Sequence, residues 1–165
     1  MIDNMKADRV RKVADLANRR TRERFGRFLI EGPQSVREAV TWMPGAVRDL
    51  YVQAADGPDG PRIAGETLTS IVERSQEHRI YVHPASEAVM RRISPDCQGI
   101  AAVGDADAVR ATAQGTQLPE KPFVAAFWQV RDPGNAGTVI RAADAAGCDA
   151  VVFVDDCVDM LKSRR

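Results

Sequence analysis

Two wholly apolar runs, separated by a glycine-bearing loop and an alanine-rich stretch, most tightly constrain what this chain can become. The first, FVAAFW (123–128), and the second, VVFV (151–154), read as strands. Between them RDPGNAG breaks regular structure, and TVIRAADAAG reads as a helix rich in alanine. Strand, helix and strand in that order make the beginning of a β-α-β unit. The unbroken apolar character of 151–154 fits a strand covered on both faces.

Upstream the chain also alternates. Residues 3–17 place Val10, Val13, Ala14 and Ala17 near helical spacing, and Asn18 can end that helix. NRRTRERFGRF follows as a basic loop closed by Gly26. FLIEG (28–32) is a strand and PQSVREAV a helix with Pro33 near its start. VRDLYVQ (47–53) is a second strand, and DGPDGP (56–61) a turn cluster. LTSIVERSQEH is an amphipathic helix, RIYVHP a third strand ended by Pro84, SEAVMRRI a short helix and QGIAAVG (98–104) a fourth strand. Such alternation is the pattern of a layered α/β domain. Residues 105–122 are small and polar and are closed by two prolines. They mark a boundary, part of which can form a short helix.

The net charge is zero, with 23 basic and 23 acidic residues, but the distribution is uneven. Residues 1–40 hold ten Lys/Arg against six acids, whereas residues 41–160 hold ten against seventeen. Arg19, Arg20, Arg22, Arg24 and Arg27 fall within nine residues, with Phe25 among them for stacking. That distribution suits a polyanion such as RNA, which the summed charge would never suggest. The alternative is a solvated, charged helix end and loop. Apolar runs are too short to span a membrane. MIDNMKADRV has no secretory core, so a cytoplasmic location is expected. Cys97, Cys148 and Cys157 are scattered and read as reduced; His78 and His83 have no third ligand nearby, so no metal is expected. Asp155, Asp156 and Asp159 read as a solvated turn, and Phe127 and Trp128 as core.

The chemistry-bearing segment is DPGNAGTVIR. Asp132 and Pro133 break the strand, Gly134 permits a sharp turn, and Asn135 can cap the coming helix. Gly137 leaves room for a substrate, and Arg141, four residues on, points over that room. An amide, free backbone donors and a guanidinium thus converge at a strand's C-terminal end. A glycine-rich βα turn with a surface arginine is the plain alternative.

DPGNAGTVIRAADAAG resembles the first motif of the SpoU family of RNA ribose 2′-O-methyltransferases, with N-x-G-x-x-x-R at Asn135, Gly137 and Arg141. The basic segment running into GRFLIEGPQSVREAV, and QGIAAVG, are similar to the substrate-binding domain of many members. The resemblance implies a small N-terminal α/β RNA-binding domain (residues 1–110), a linker (111–122) and the start of a SPOUT-type, knotted Rossmann-like parallel-sheet domain (123–165). It implies methyl transfer from S-adenosylmethionine to a ribose 2′-oxygen of rRNA or tRNA. Asn135 and Arg141 would be the catalytic positions, Gly134 and Gly137 the substrate-approach loop, and Arg19, Arg20, Arg22, Arg24 and Arg27 the RNA contacts. Members are usually homodimers. The family's later donor-binding motifs, a Gly-Glu-Gly-type loop and an Asn-Val-Ser-type segment, do not occur before LKSRR. The expectation is therefore an incomplete catalytic domain with no cofactor ligand, and little activity in these 165 residues alone. Two rivals stand beside this reading. One is a non-catalytic RNA-binding protein using the basic segment. The other is a nucleotide-binding protein using GNAG, which lacks both G-x-G-x-x-G and a P-loop lysine.

Overall fold

The computed structural model describes residues 1–115, 117–159 and 161. The chain divides into two compact units, the first covering Met1–Arg110 and the second beginning at Ala111.

In the first unit the central strand β5 (Ile100–Asp105) lies antiparallel to β1 (Arg27–Glu31) on one side and to β2 (Val47–Ala55) on the other. β2 runs parallel to β4 (Tyr81–Ala85), and β3 (Arg62–Ile63) adds a short antiparallel rung beside Ala54 and Ala55. Alternation along β5 and β2 divides the core in two. Ala101, Val103 and Tyr51 face α1 (Asp8–Ala14) and α5 (Glu87–Ile93), joining Val10, Val13, Val89, Met90 and Ile93. Ile100, Ala102, Leu50 and Val52 face the other way, toward α3 (Pro33–Trp42) and α4 (Glu66–Glu77), joining Val36, Val40, Ile71 and Val72. Each buried Val, Leu, Ile or Met side chain among these contributes about 1.5–3 kcal/mol. Gly104 belongs to the same economy of space: a Cβ there would lie 2.5 Å from Phe28 Cζ, so the missing side chain lets the opposed Phe28 ring lie over the strand. Cys97 is buried in the first cluster, and burial pushes its thiol pKa up, as suits an inert, reduced cysteine.

Several expectations need correction. The first helix starts at Asp8, not residue 3, because Ile2 bridges to Ala85 instead. Pro84 does not end β4; the strand continues to Ala85, and the Pro84 carbonyl accepts from Ile2 N at 2.8 Å. A proline is tolerated there because its missing N–H falls on the strand edge away from β2. The basic segment is not a loop but a helix, α2 (Arg19–Phe25), preceded by a 3-10 turn at Asp15–Ala17. The two-residue β3 leaves no sequence pattern to read.

Asp105 closes β5 and opens α6 (Ala106–Gly115), the helix in which the expected linker begins. Its Oδ1 accepts from Asp107 N and Ala108 N, and its Oδ2 from Arg48 Nε at 2.8 Å. The Ala108 amide and then the Arg48 guanidinium hold its carboxyl below the usual carboxylate range. The folded value being depressed, this contribution is complete above the unfolded value near ~4 and is lost as pH falls through the folded one. Asp105→Ala should cost about 1 kcal/mol at pH 7, as for a lost helix cap. It should also flatten the acid limb of a urea-melt stability profile below pH ~4; an unchanged acid limb would refute this assignment.

In the second unit, β6 (Val124–Trp128) and β7 (Ala150–Val154) form a parallel pair joined through α7 (Pro133–Ala145). The pair is closed at its start by Phe123 N donating to Asp149 Oδ2 at 2.7 Å and Asp149 N donating to Phe123 O at 2.8 Å. Ala136 and Ala143 are the buried positions of α7, and Phe127 meets Phe153 with ring centroids 6.0 Å apart. The opposite face is bare. Val124, Val152 and Val154 are exposed, and Trp128 is 67% exposed. Trp128 is thus not core, and 151–154 is not covered on both faces among the described residues. The described part of this unit supplies a helix on one side of the sheet only. Among the described residues no helix is long and apolar enough to cross a membrane.

Candidate functional site

β6 ends at Trp128, and Gln129 follows in the left-handed region, as does Asp155 after β7. Gln129 Nε2 donates to Asp155 Oδ2 at 2.6 Å, and Val158 N donates to Val130 O at 2.8 Å. These bonds tie together the two loops at the C-terminal edge of the parallel pair. The other acids of that turn are also engaged: Asp156 pairs with Arg131, and Asp159 Oδ1 accepts from Leu161 N. Among the described residues no acidic, histidine or cysteine group could hold a metal ion.

Asp132, not Asn135, caps α7. Its Oδ1 accepts from Asn135 N at 2.8 Å, and Pro133 occupies the first turn, where an N–H is not needed. The expected cap at Asn135 fails because Asp132 sits three residues earlier, where a cap oxygen reaches a first-turn N–H. The Asn135 side-chain amide is left exposed at the third residue of the helix.

Gly137 and Arg141 do come together. A Cβ on Gly137 would lie 3.2 Å from Arg141 Nη1, so the guanidinium lies over the place where a side chain would be. Arg141 Nη2 donates to Thr138 Oγ1 at 3.4 Å, and Thr138 Oγ1 donates to Gly134 O at 2.9 Å. Gly134, Gly137, Thr138 and Arg141 therefore share one face of the first two turns. Arg141 is exposed and makes no ion pair among the described residues. Asn135 stands six residues before Arg141, about 120° away around the helix axis. It can approach a shared ligand from the side but does not touch Arg141. Thr138 was missed in the sequence; its spacing, four after Gly134 and three before Arg141, was the available signal.

The five arginines of the basic segment separate. Asn18 opens α2 by accepting from Arg20 N at 3.0 Å, and Gly26 at φ +60° closes it. Arg20 and Arg24 lie one turn apart and exposed, and the Arg24 guanidinium rests 5.3 Å from the Phe25 ring centroid. Arg27 is exposed at the start of β1, and Arg19 pairs with Glu23 at 2.7 Å. Arg22 is the exception. It is 4% exposed, and its Nη1 donates to Leu16 O at 2.9 Å and Ala17 O at 2.8 Å. The expectation that Arg22 contacts RNA is corrected: its charge is consumed by the carbonyls that end the 3-10 turn.

Residues 7–102 match the family described as the MRM3-like substrate binding domain, more than half of the chain. The chain belongs to that family. This MRM3-like chain is 34% identical over 168 residues to the 23S rRNA (guanosine(2553)-2′-O)-methyltransferase RlmP of Bacillus subtilis (strain 168), an alignment covering 99% of the chain and 58% of that protein. It is 43% identical over 54 residues to human rRNA methyltransferase 3, mitochondrial, covering 32% of the chain and 13% of that protein. An AdoMet-bound rRNA methyltransferase from Sinorhizobium meliloti has the same fold, with a TM-score of 0.70 at 20% identity over 98% of this chain and 56% of that one. The SpoU methyltransferase AviRb of Streptomyces viridochromogenes, in complex with AdoMet, gives 0.67 at 22% identity, covering 95% and 56%. The SpoU resemblance therefore holds, as does a mixed α/β fold shared with methyltransferases of this kind. The chain spans somewhat over half the length of the fuller-length relatives.

Proposed function

We propose that this chain recognises ribosomal RNA with its first unit and presents a ribose to the α7 arginine with its second. The protein it serves transfers a methyl group from S-adenosylmethionine to a ribose 2′-oxygen. The observation that carries this reading is the Arg141 guanidinium lying over Gly137 at a strand's C-terminal end, in a chain aligned over nearly its whole length with an rRNA 2′-O-methyltransferase. A guanidinium holds its proton too firmly to act as a base for the ribose hydroxyl. Its fork instead holds the hydroxyl or an adjoining phosphate oxygen, with the α7 N-terminal dipole and the Asn135 amide beside it. S-adenosylmethionine would supply the methyl group. The groups described at α7 do not suit it, because a guanidinium repels a sulfonium. No residue here is assigned to the donor.

The likeness to a bacterial rRNA methyltransferase supports a cytoplasmic location, and the bare apolar face of β6 and β7 supports pairing with a second copy of the chain. The same domain boundaries support the reading: an RNA-binding part over residues 1–110 and a catalytic part from residue 123. A non-catalytic RNA-binding role is the second reading, favoured by the exposed Arg20, Arg24 and Arg27. Isothermal titration of the purified 165-residue protein with S-adenosylmethionine should give no binding heat, while the same sample shifts the fluorescence anisotropy of a labelled 23S rRNA fragment. Stoichiometric donor binding would overturn the half-site reading, and absence of RNA binding would overturn both readings.

A further inference from the structure

Beside α2, the first unit carries a cleft of about 350 Å³ whose wall includes Arg9, Lys12, Phe25, Arg27, Asp49 and Tyr51. Its chemistry is mixed in a particular way. Three cations face one anion, and that anion is already engaged: Asp49 Oδ1 lies 2.8 Å from His83 Nε2. Arg9 Nη1 lies 3.2 Å from His83 Nδ1. Arginine has only donors, so Nδ1 accepts, the imidazole proton sits on Nε2, and Nε2 donates to Asp49. The buried His83 ring stacks on Tyr51 at 4.7 Å, which fixes this wall. Lys12 and Arg27 are exposed and form no ion pair among the described residues. Phe25 is 52% exposed although it is a large apolar ring at the cleft edge.

We infer that this cleft takes one unpaired nucleotide of the bound RNA, its base against Phe25 and its phosphate between Lys12 and Arg27. Unpaired cations ask for an anion, and the exposed aromatic ring asks for a flat partner. A nucleotide is the chemical unit that supplies both. A cleft of this size lies within the range of small-ligand sites, roughly 300–1,000 Å³, and is too narrow for a duplex. The inference rests on the RNA-binding reading above and adds a preference for single-stranded over duplex RNA, located at a named ring.

The test uses the full 165-residue protein with a labelled single-stranded RNA octamer and a perfect duplex of the same sequence, followed by fluorescence anisotropy. Phe25→Ala should weaken octamer binding roughly tenfold, in line with the loss of one stacked base, and leave duplex binding within about twofold. Phe25→Tyr should restore octamer binding, since it keeps the ring. Lys12→Ala with Arg27→Ala should weaken the octamer more than the duplex. Equal losses on both RNAs, or no loss from Phe25→Ala, would overturn the cleft assignment while leaving RNA binding intact. No binding of either RNA by the unsubstituted protein would remove the underlying reading. Tight binding of free adenosine or uridine monophosphate, uncompetitive with the octamer, would make this a small-nucleotide site and overturn the inference as well.

Discussion

Arg22→Ala is expected to destabilise the first unit by about 2–4 kcal/mol, more than any other substitution in the basic segment. The side chain is 4% exposed and donates to two carbonyls at the end of a 3-10 turn, where no helix partner is available for them. Hydrogen bonds from a charged donor contribute about 1.5–3 kcal/mol, and removing the donor also leaves the buried Leu16 carbonyl without its bond. The aliphatic stem adds packing that alanine lacks. Lysine should recover less than half of the loss, because one ammonium does not reproduce the planar fork. A domain of this kind has roughly 5–15 kcal/mol in total, so the change is a large fraction of its stability. Arg20→Ala, one turn away on the exposed side, should stay within about 0.5 kcal/mol. Urea unfolding followed by circular dichroism separates the two. A loss below 0.5 kcal/mol at Arg22 would mean that the two carbonyls find other donors.

That contrast shows where reading the sequence alone stops. Five arginines in nine residues look alike as letters, and a charge run is ordinarily a solvated face. What distinguishes Arg22 is position: it falls on the inner side of a two-turn helix whose existence depends on Asn18 as a cap rather than a stop. Asn18 serves both purposes here, ending one turn and opening the next helix, so the loop reading followed from seeing half of its role. The strands were easier. β5 and β2 carry unbroken or alternating apolar residues, and both halves of the core follow from their two-residue period. β3 was invisible because two residues show no period, and Pro84 misled because the edge position that tolerates it is a tertiary fact.

The half-site was legible in its spacing and less so in its hydrogen bonds. Gly137 and Arg141 are four apart on a helix, and the structure stacks them as that spacing demands. Asn135 was the obvious cap by residue type, but Asp132 has equal propensity and stands one turn earlier relative to the N–H it meets. Propensity could not choose between them; backbone geometry did. The consequence is functional, because an asparagine released from capping has its amide free for a ligand. Trp128 shows the converse. A long apolar run implies burial, but burial needs a second layer, and the described residues provide a helix on one face of the β6–β7 pair only.

The second large effect concerns RNA affinity. Arg20→Ala combined with Arg24→Ala should weaken binding of a structured rRNA fragment by about 10- to 100-fold at low salt. Each lysine or arginine that neutralises a phosphate releases counterions, so log K falls with log salt by about 0.9 per contact on a duplex and 0.7 on a single strand. Removing two contacts should therefore reduce the slope by about 1.4–1.8. Arg20 and Arg24 are chosen because both are exposed and neither is tied to a carboxylate among the described residues, whereas Arg19 is held by Glu23. Arg19→Ala leaves that glutamate uncompensated, so any loss it causes mixes a missing contact with a new repulsion. Arg22→Met makes the sharper control. Its guanidinium never reaches solvent, so the surviving folded fraction should bind with an unchanged salt slope. Anisotropy titrations from 50 to 200 mM salt, a range over which several phosphate contacts change affinity by roughly three to five decades, measure all three variants beside the unsubstituted protein. A double variant with an unchanged slope would move the RNA contact away from α2 altogether. A reduced slope at Arg22→Met would show that the buried arginine is reached after all.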